Sequence, residues 1–303
     1  IWHIGVGVFA TGMFWALDYS LRKTLLGAAV ESDSVGHAMS LDTVSNNGTR
    51  MLGPILGGMF LQWVGLTGVY VFAAVGYIVA ILCALALSPT IGRSGQNSGG
   101  IISAIGRSKP LLKSHPLLAG ILMVTVVFNL WGFPFISMIP VIGKEILVLN
   151  SFYVGLLMSA EGCGALIGAL LIAGTGQSRH YRKLYICGLG LYLVMAIVFS
   201  QSASSVGSGA CLLVVGLGVA AFAAMQSTLI LLTAPEEARS LMMGLLTMCI
   251  GMAPIGFLHI GLLADWLGAP TAIAILAAEG LVALWWVLRR WPSLWDLQYR
   301  SAE

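Results

Sequence analysis

Nine apolar segments, separated by short polar connections, constrain the fold of this chain more than any other feature. Each is close to the roughly 20 residues that an α-helix needs to cross the hydrocarbon core of a bilayer. Charged residues make up only 9% of the chain, whereas a soluble domain has about 25%. The sequence therefore predicts an all-α, multi-pass membrane protein whose surroundings are the lipid bilayer. The segments are residues 2–21, 43–65, 67–88, 117–142, 151–174, 184–201, 208–233, 240–264 and 269–288.

The remaining composition argues against several other classes of protein. The net charge is only +3, and the cations lie in short connections, so no nucleic-acid partner is expected. All five cysteines fall inside apolar segments, which predicts small buried side chains rather than a disulfide or zinc framework. The sequence has no phosphate-binding Gly-Lys-Ser loop, no His/Glu metal spacing and no positioned Ser/His pair. We therefore expect a protein that is not an enzyme, with no cofactor and no metal site.

A long-period internal repeat sets the expected architecture. Residues 58–65 return as residues 261–268, with glycine, tryptophan and glycine at matching positions and one shared offset of 203 residues. The two copies lie in the second and eighth segments, so the repeating unit is six helices. The first three segments then correspond to the seventh to ninth, and a complete protein would need three more helices before Ile1. We expect about nine of twelve transmembrane helices in two bundles, the first of them truncated.

The composition also predicts how the chain divides. Residues 1–89 would be the remaining three helices of an N-terminal bundle, and residues 116–303 a complete six-helix C-terminal bundle. Between them, residues 90–115 are rich in Gly, Ser and Asn and then basic, which is typical of a cytoplasmic linker. A short amphipathic helix is expected there, around residues 101–112.

The distribution of positive charge predicts the orientation. If successive connections alternate sides, Lys144 is the one cation on one side and fourteen cations lie on the other. Because Lys and Arg are retained on the cytoplasmic side, the larger set and the C-terminus are expected to be cytoplasmic. The larger set is Arg22, Lys23, Arg50, Arg93, Arg107, Lys109, Lys113, Arg179, Arg182, Lys183, Arg239, Arg289, Arg290 and Arg300.

These motifs together are similar to those of a known family. The element Gly53-Pro54-x-x-Gly57-Gly58, preceded by Arg50-Met-Leu, looks like the antiporter signature in the fifth helix of the major facilitator superfamily. Within that superfamily the chain resembles the drug-efflux and siderophore-exporter branch, which includes enterobactin exporter-like proteins. The resemblance extends to the glycine-rich segment 161–170 and to segments 226–239 and 254–265, which are similar to the family's eighth, tenth and eleventh helices.

The resemblance implies a two-bundle fold and a secondary active transporter. The function it implies is export of a small organic molecule, drug-like or siderophore-like, in exchange for protons across the bacterial inner membrane. H⁺ would be the coupling ion and the small molecule the substrate. Two alternatives stay open from the sequence: a non-transporting membrane sensor or assembly protein on the same bundle, and an inactive fragment.

The segment after residue 174 resembles the second-half copy of the family's cytoplasmic gating loop. Arg179, Arg182 and Lys183 fit that pattern, while Ser178 stands where an aspartate is usual and Tyr181 where a glycine is usual. With Arg239, these three cations are candidate cytoplasmic gate residues. The alternative is that all four are only topology charges.

Ionisable residues inside apolar segments are costly in a bilayer and mark candidate substrate or proton pathways. Glu161 is the first candidate, because Gly164, Ala165 and Gly168 share its helix face and predict that it points at packed protein. It is either a protonatable group of the transport cycle or a structural carboxylate bonded to a neighbouring helix.

Two further carboxylates lie inside segments. Asp18 is a pathway candidate, although an i,i+4 pair with Arg22 at the membrane surface would also explain it. Glu279 lies in the last segment, for which a structural or lipid-edge role is expected.

Three uncharged or weakly basic residues are candidate contacts of a substrate cavity. Asn129 and Pro134 are expected to interrupt the fourth segment near its middle, as transporter helices often do at binding sites. Gln226 and His259 are similar candidates in the seventh and eighth segments. Each could instead be a buried polar side chain satisfied by a neighbour.

The face formed by Arg50, Gly53, Pro54, Gly57 and Gly58 is predicted to be a helix-packing seam. Small residues at this spacing let two membrane helices approach closely. In a transporter, the same face would also seal one route across the membrane while the other is open.

Overall fold

The computed structural model describes residues 35–86, 101–175 and 180–295, which are helical throughout apart from short connections, with no β-strand among them. Within these residues, seven helical stretches are long and apolar enough to cross a membrane. The α-helices are α1 (Val35–Ala86), α2 (Ile101–Ser114), α3 (Pro116–Val127), α4 (Ile139–Val141), α5 (Ser151–Thr175), α6 (Tyr181–Ser200), α7 (Ser205–Thr233), α8 (Arg239–Ile250), α9 (Ala253–Leu267) and α10 (Ala269–Arg290).

Seven of the nine predicted segments can be compared in full with these helices. The predicted segment 2–21 and the last two residues of the segment 67–88 lie outside the described residues. Helix α1 contains the predicted segment 43–65 and residues 67–86 of the next one, and it is broken at Gly65. Helix α2 is the short helix expected in the linker.

Gly65 and Gly268, the last residues of the two repeat copies, have closely similar backbone conformations. Their φ/ψ angles are 71°/−180° and 80°/156°. This region of positive φ with extended ψ is essentially restricted to glycine. Gly268 ends α9 and precedes α10 directly, and Gly65 separates the two parts of α1. Trp63 and Trp266 are 72% and 76% exposed, as expected of tryptophans at a membrane surface. Each copy thus ends in a glycine with closely similar backbone conformation.

The fourth predicted segment is interrupted where Asn129 and Pro134 lie, as expected. After α3 the chain forms a π-helical turn (Phe128–Gly132) and a 3₁₀ helix (Phe133–Met138) before it becomes α-helical again. Proline has no N–H, and its ring would clash with the carbonyl four residues earlier in an α-helix. Pro134 and Pro140 therefore explain why regular α-helix is lost over this stretch.

The eighth predicted segment is also interrupted, which the sequence did not suggest to us. Helix α8 ends at Ile250, and α9 starts at Ala253 with Pro254 in its first turn. The N–H of Gly251 bonds to the Thr247 carbonyl at 2.9 Å and closes α8. Because proline is well tolerated in the first turn of a helix, Pro254 starts α9 rather than kinking it.

The helices from α3 to α10 form one bundle around an apolar core. Helix α7 packs along both α5 and α6, and α10 packs against α6 and α9. Lipid tails are as apolar as leucine side chains, so close van der Waals packing holds such helices together. Residues 50–63 of α1 belong to the same compact unit as this bundle, whereas residues 64–86 belong to a separate unit. The largest fully buried side chains include Tyr185, Phe135, Phe199 and Phe222.

Candidate functional site

Arg50 and Glu161 form an ion pair between α1 and α5. Arg50 Nη2 donates to Glu161 Oε1 at 2.6 Å, although the two residues are 111 positions apart. Glu161 is only 6% exposed, and the Arg50 side chain is 35% exposed. A buried carboxylate without a partner is costly in a membrane, so this contact accounts for the presence of Glu161 inside a span.

Glycines bring the two backbones close enough for this pair to form. A Cβ at Gly58 would collide with the backbone of Ser151, and one at Gly155 with the Pro54 carbonyl. A Cβ at Gly162 would lie 2.7 Å from the Arg50 carbonyl oxygen. Three glycines from two helices therefore create a backbone contact that no side chain would permit. We call this contact the Arg50–Glu161 seam.

The opposite face of α5 is held equally closely by α7. A Cβ at Gly164 would collide with the Leu213 carbonyl, and one at Gly168 would lie 2.8 Å from the Ala220 side chain. From the other side, Gly216 lies against the Glu161 carbonyl. The prediction from the sequence that Glu161 points into packed protein is therefore correct.

The glycines around Pro54 differ in what they contact. Gly58 and the carbonyl of Pro54 contact α5 in the seam. A Cβ at Gly53 or Gly57 would have no atom within 4 Å. Within the described residues, then, only part of the predicted packing face is used.

Asn129 and Gln226 converge on one polar cluster, which also contains Thr125 and Tyr185. Gln226 Nε2 donates to Thr125 Oγ1 at 3.2 Å, and Asn129 Nδ2 donates to the Thr125 carbonyl at 2.9 Å. Thr125 Oγ1 lies 2.8 Å from the Tyr185 hydroxyl, and this hydroxyl donates to the Ile121 carbonyl at 3.0 Å. Three helices, α3, α6 and α7, are thus linked through hydroxyl and amide groups.

Aromatic rings surround this cluster. Phe222 stacks on Tyr185 and on Phe128, with ring centroids 4.9 Å and 4.2 Å apart. Phe128 also meets Tyr192 edge to face at 5.3 Å. Such ring pairs fix side-chain positions beyond simple burial. The cluster therefore combines hydrogen-bonding groups with flat apolar surfaces.

A second group of polar side chains lies midway along α9 and α10. Trp131 Nε1, from the π-helical turn, donates to Glu279 Oε2 at 3.0 Å. His259 Nδ1 lies 3.6 Å from the same oxygen. The His259 and Glu279 side chains are 38% and 39% exposed. Glu279 therefore has polar partners on two elements, which is compatible with the structural role expected from the sequence.

The three candidate gate residues that the structure describes lie at the starts of two helices. Arg182 Nη1 donates to the Ser293 carbonyl at 3.1 Å and so ties the start of α6 to the segment after α10. Arg239 starts α8 and is exposed, and Lys183 is half-buried near the start of α6. Arg179 and Asp18 lie outside the described residues.

Five residues of these sites were missed by sequence reasoning. They are Thr125, Trp131, Gly155, Gly162 and Tyr185. The spacing of Gly155 and Gly162, seven residues apart on one helix face, is a signal that could have identified the α5 side of the seam. Thr125 and Tyr185 gave no such signal, because a single sequence does not show which hydroxyls face one another.

Together these groups can pair charges, hold exchangeable protons and hydrogen-bond a polar molecule. The described residues contain no group of three or more His, Cys, Asp or Glu side chains that could hold a metal ion. Interrupted membrane helices with buried polar and ionisable side chains define a multi-pass membrane transporter.

The chain belongs to the major facilitator family described as transmembrane secretion effectors, whose family model matches residues 1–296. It is also similar in fold to the crystal structure of a bacterial homolog to the human lysosomal transporter Spinster, in an inward-facing and unoccupied conformation. That similarity has a TM-score of 0.62 at 12% sequence identity and covers 93% of this chain and 76% of the other. Family and fold are those of transporters rather than enzymes.

Proposed function

We propose that this protein is a proton-coupled exporter of a small organic molecule, drug-like or siderophore-like, in the bacterial inner membrane. In this proposal the two predicted bundles rock around a site near the middle of the membrane, and Glu161 carries the coupling proton. The observation that supports this most directly is the buried Arg50–Glu161 ion pair. It places a protonatable group and its counter-charge on two different membrane helices.

Protonation of Glu161 would change the seam in a defined way. The carboxylate would lose its charge, and Arg50 would lose the partner that offsets its position inside the membrane. Because the seam is formed by glycine backbones rather than interlocking side chains, α1 and α5 could separate without rearranging large side chains. Proton binding would thus favour one state of the transporter and proton release the other.

Asn129 and Gln226 are the proposed contacts of the substrate. With Thr125 and Tyr185 they offer amide and hydroxyl groups beside the flat faces of Phe222 and Phe128. Binding sites for small organic molecules commonly combine apolar and aromatic walls with a few placed polar groups.

The proposed cytoplasmic gate consists of Arg179, Arg182, Lys183 and Arg239, with the C-terminus on the same side. The bond from Arg182 to the Ser293 carbonyl supports this proposal for one member, because it holds that cation at the start of α6 beside the segment that follows α10.

The test is Glu161→Gln in the full-length protein, assayed for proton-driven transport of ethidium and of a catecholate siderophore into inverted vesicles at several values of the pH gradient. Efflux should lose its dependence on the gradient while the amount of protein in the membrane stays unchanged. Glu145→Gln is the matched control, because Glu145 is an exposed carboxylate at the end of a π-helical turn. Undiminished proton-driven efflux by Glu161→Gln would remove Glu161 from the mechanism.

A further inference from the structure

His259, Glu279 and Trp131 meet at a point that neither the Arg50–Glu161 seam nor the polar cluster includes. Glu279 Oε2 accepts the hydrogen bond from Trp131 Nε1 and is also the carboxylate atom closest to His259 Nδ1. One oxygen atom therefore serves two polar neighbours. We call this group the His259–Glu279 corner.

Small residues bring the three elements of this corner together. A Cβ at Gly280, next to Glu279, would lie 2.9 Å from the Trp131 side chain and from Leu193. A Cβ at Gly256, one turn before His259, would lie 3.0 Å from the Asn129 carbonyl and collide with that of Leu130. Both α9 and α10 thus approach the interrupted stretch closely, with His259 beside Glu279 and Glu279 bonded to Trp131.

We propose that His259 and Glu279 form a second proton-binding site, which takes up one proton and releases it during the transport cycle. The proposal rests on the proton-coupled transport proposed above. A proton from water adds to the imidazole or the carboxylate of the pair and later leaves from it, and no other bond is made or broken. Histidine and a carboxylate side by side can share such a proton without stranding a full charge among apolar helices.

Among the described residues, His259 and Glu279 are the titratable side chains of this corner. Four elements that neighbour α10 contain no titratable side chain. They are helix α3, the π-helical turn and the 3₁₀ helices Phe133–Met138 and Pro292–Leu294. On α6 the residue packed against Gly280 is Leu193, while Tyr192 packs on Phe128. On α9, Asp265 is six residues beyond His259, which is about 9 Å along the helix. The other titratable groups of α6 and α10 lie farther along these helices: Tyr181, Arg182, Lys183, Tyr185, Cys187, Arg289 and Arg290.

The partner types distinguish this corner from the seam. Arginine stays protonated under all ordinary conditions, so at the seam only Glu161 can exchange a proton. In the corner both members of the pair can exchange one. More than a third of each side chain is exposed, whereas Glu161 is 6% exposed, so the pair is less enclosed by protein than Glu161.

The corner is also connected to the interrupted stretch. Trp131 and Asn129 belong to the same π-helical turn, and Asn129 bonds to Thr125 in the polar cluster. A change in the charge of Glu279 alters the strength of the bond from Trp131. That gives the proton site a direct contact with the element that carries a proposed substrate residue.

The test uses the full-length protein in lipid nanodiscs and needs no substrate. Infrared difference spectra are recorded between about pH 3 and about pH 8, a range that covers the ordinary pKa values of carboxyl groups and of histidine. We expect a carboxyl signal that is lost in Glu279→Gln and kept in Glu279→Asp, Glu145→Gln and Glu161→Gln. His259→Gln should change the pH dependence of this signal, because the His259 imidazole lies 3.6 Å from the Glu279 carboxylate.

The outcomes separate this proposal from the proposed function. A wild-type protein without that signal, or a Glu279→Gln protein that retains it, overturns the second proton site. In inverted vesicles, Glu279→Gln should lower proton-driven uptake of ethidium about tenfold or more but leave ethidium exchange without a gradient intact. Loss of exchange as well, in a correctly assembled protein, also overturns it. If wild-type efflux shows no pH dependence while the Glu279 signal is present, the exporter proposal fails and proton binding stands.

Discussion

Glu161 and Glu279 are both carboxylates in the middle of membrane-spanning helices, but their surroundings differ in almost every respect. Glu161 is buried and faces Arg50, and its helix packs closely through glycines on two sides. Glu279 is more than a third exposed and shares one oxygen between an indole N–H and an imidazole. The comparison teaches that the partner of a membrane carboxylate, rather than its depth alone, determines what its protonation can do.

At the seam, protonation breaks an ion pair and leaves a fixed charge behind. In the corner, protonation alters a hydrogen bond between groups that can all become neutral. The first change is large and favours a global rearrangement, while the second is small and suits local exchange. Four predictions test this difference between the seam and the corner.

The largest effect is expected for Arg50→Met. It leaves Glu161 buried without a counter-charge, and removal of one partner of a buried pair costs about 3 kcal/mol or more. Thermal unfolding in detergent measures the loss. The double variant Arg50→Met/Glu161→Met should recover most of the stability, because it leaves no unpaired charge. A double variant as unstable as the single one would show that the charge pair is not what matters.

The next effect compares two adjacent glycines. Gly58→Ala places a Cβ against the backbone of Ser151 and should cost about 2 kcal/mol, within the range for overpacking. Gly57→Ala adds a Cβ with no atom within 4 Å and should leave stability unchanged or slightly raised, since alanine favours helix. Equal unfolding temperatures for the two variants would contradict the seam geometry.

A matched pair on α9 tests the corner in the same way. Gly256→Ala would press on the Leu130 carbonyl and the Pro134 ring, whereas Gly261→Ala has no atom within 4 Å of its new Cβ. Because the π-helical and 3₁₀ stretch can yield more easily than two straight helices, we expect a cost of about 1 kcal/mol for Gly256→Ala. The same unfolding assay applies, and a loss larger than that of Gly58→Ala would reverse the proposed order of rigidity.

The smallest effect is expected for Trp131→Phe. It removes the donor to Glu279 but keeps most of the aromatic surface, and hydrogen bonds between membrane helices are worth about 0.6 kcal/mol on average. Trp286→Phe is a suitable control, because Trp286 is an exposed tryptophan of α10. A cost comparable to that of Arg50→Met would mean that the corner, not the seam, carries the main polar contact of the bundle.

Much of the fold could be predicted from the sequence because bilayer thickness and backbone hydrogen bonding leave few choices. The positions of the spans, the break near Asn129 and Pro134 and the burial of Glu161 all followed from apolar length, proline chemistry and glycine spacing. The break between α8 and α9 was missed, since Pro254 in the middle of an apolar segment is compatible with either a kink or a new helix start.

The sites were less predictable, because they depend on contacts between distant parts of the chain. Nothing local in the sequence shows that Arg50 meets Glu161, or that Thr125 joins Asn129 to Gln226. For the same reason Glu279 was placed outside the candidate pathway, although it faces two polar side chains. Which side chains pair across helices is determined by the three-dimensional packing. In a single sequence, the spacing of glycines is the only indication of that packing.

The shared conformation of Gly65 and Gly268 bears on the history of the chain. Around these two positions most of the sequence has drifted apart, yet both copies keep a glycine where any other residue would be strained. Duplication of an ancestral unit that already had this conformation would account for the pattern. The two glycines would then mark equivalent positions in the two copies of the repeat.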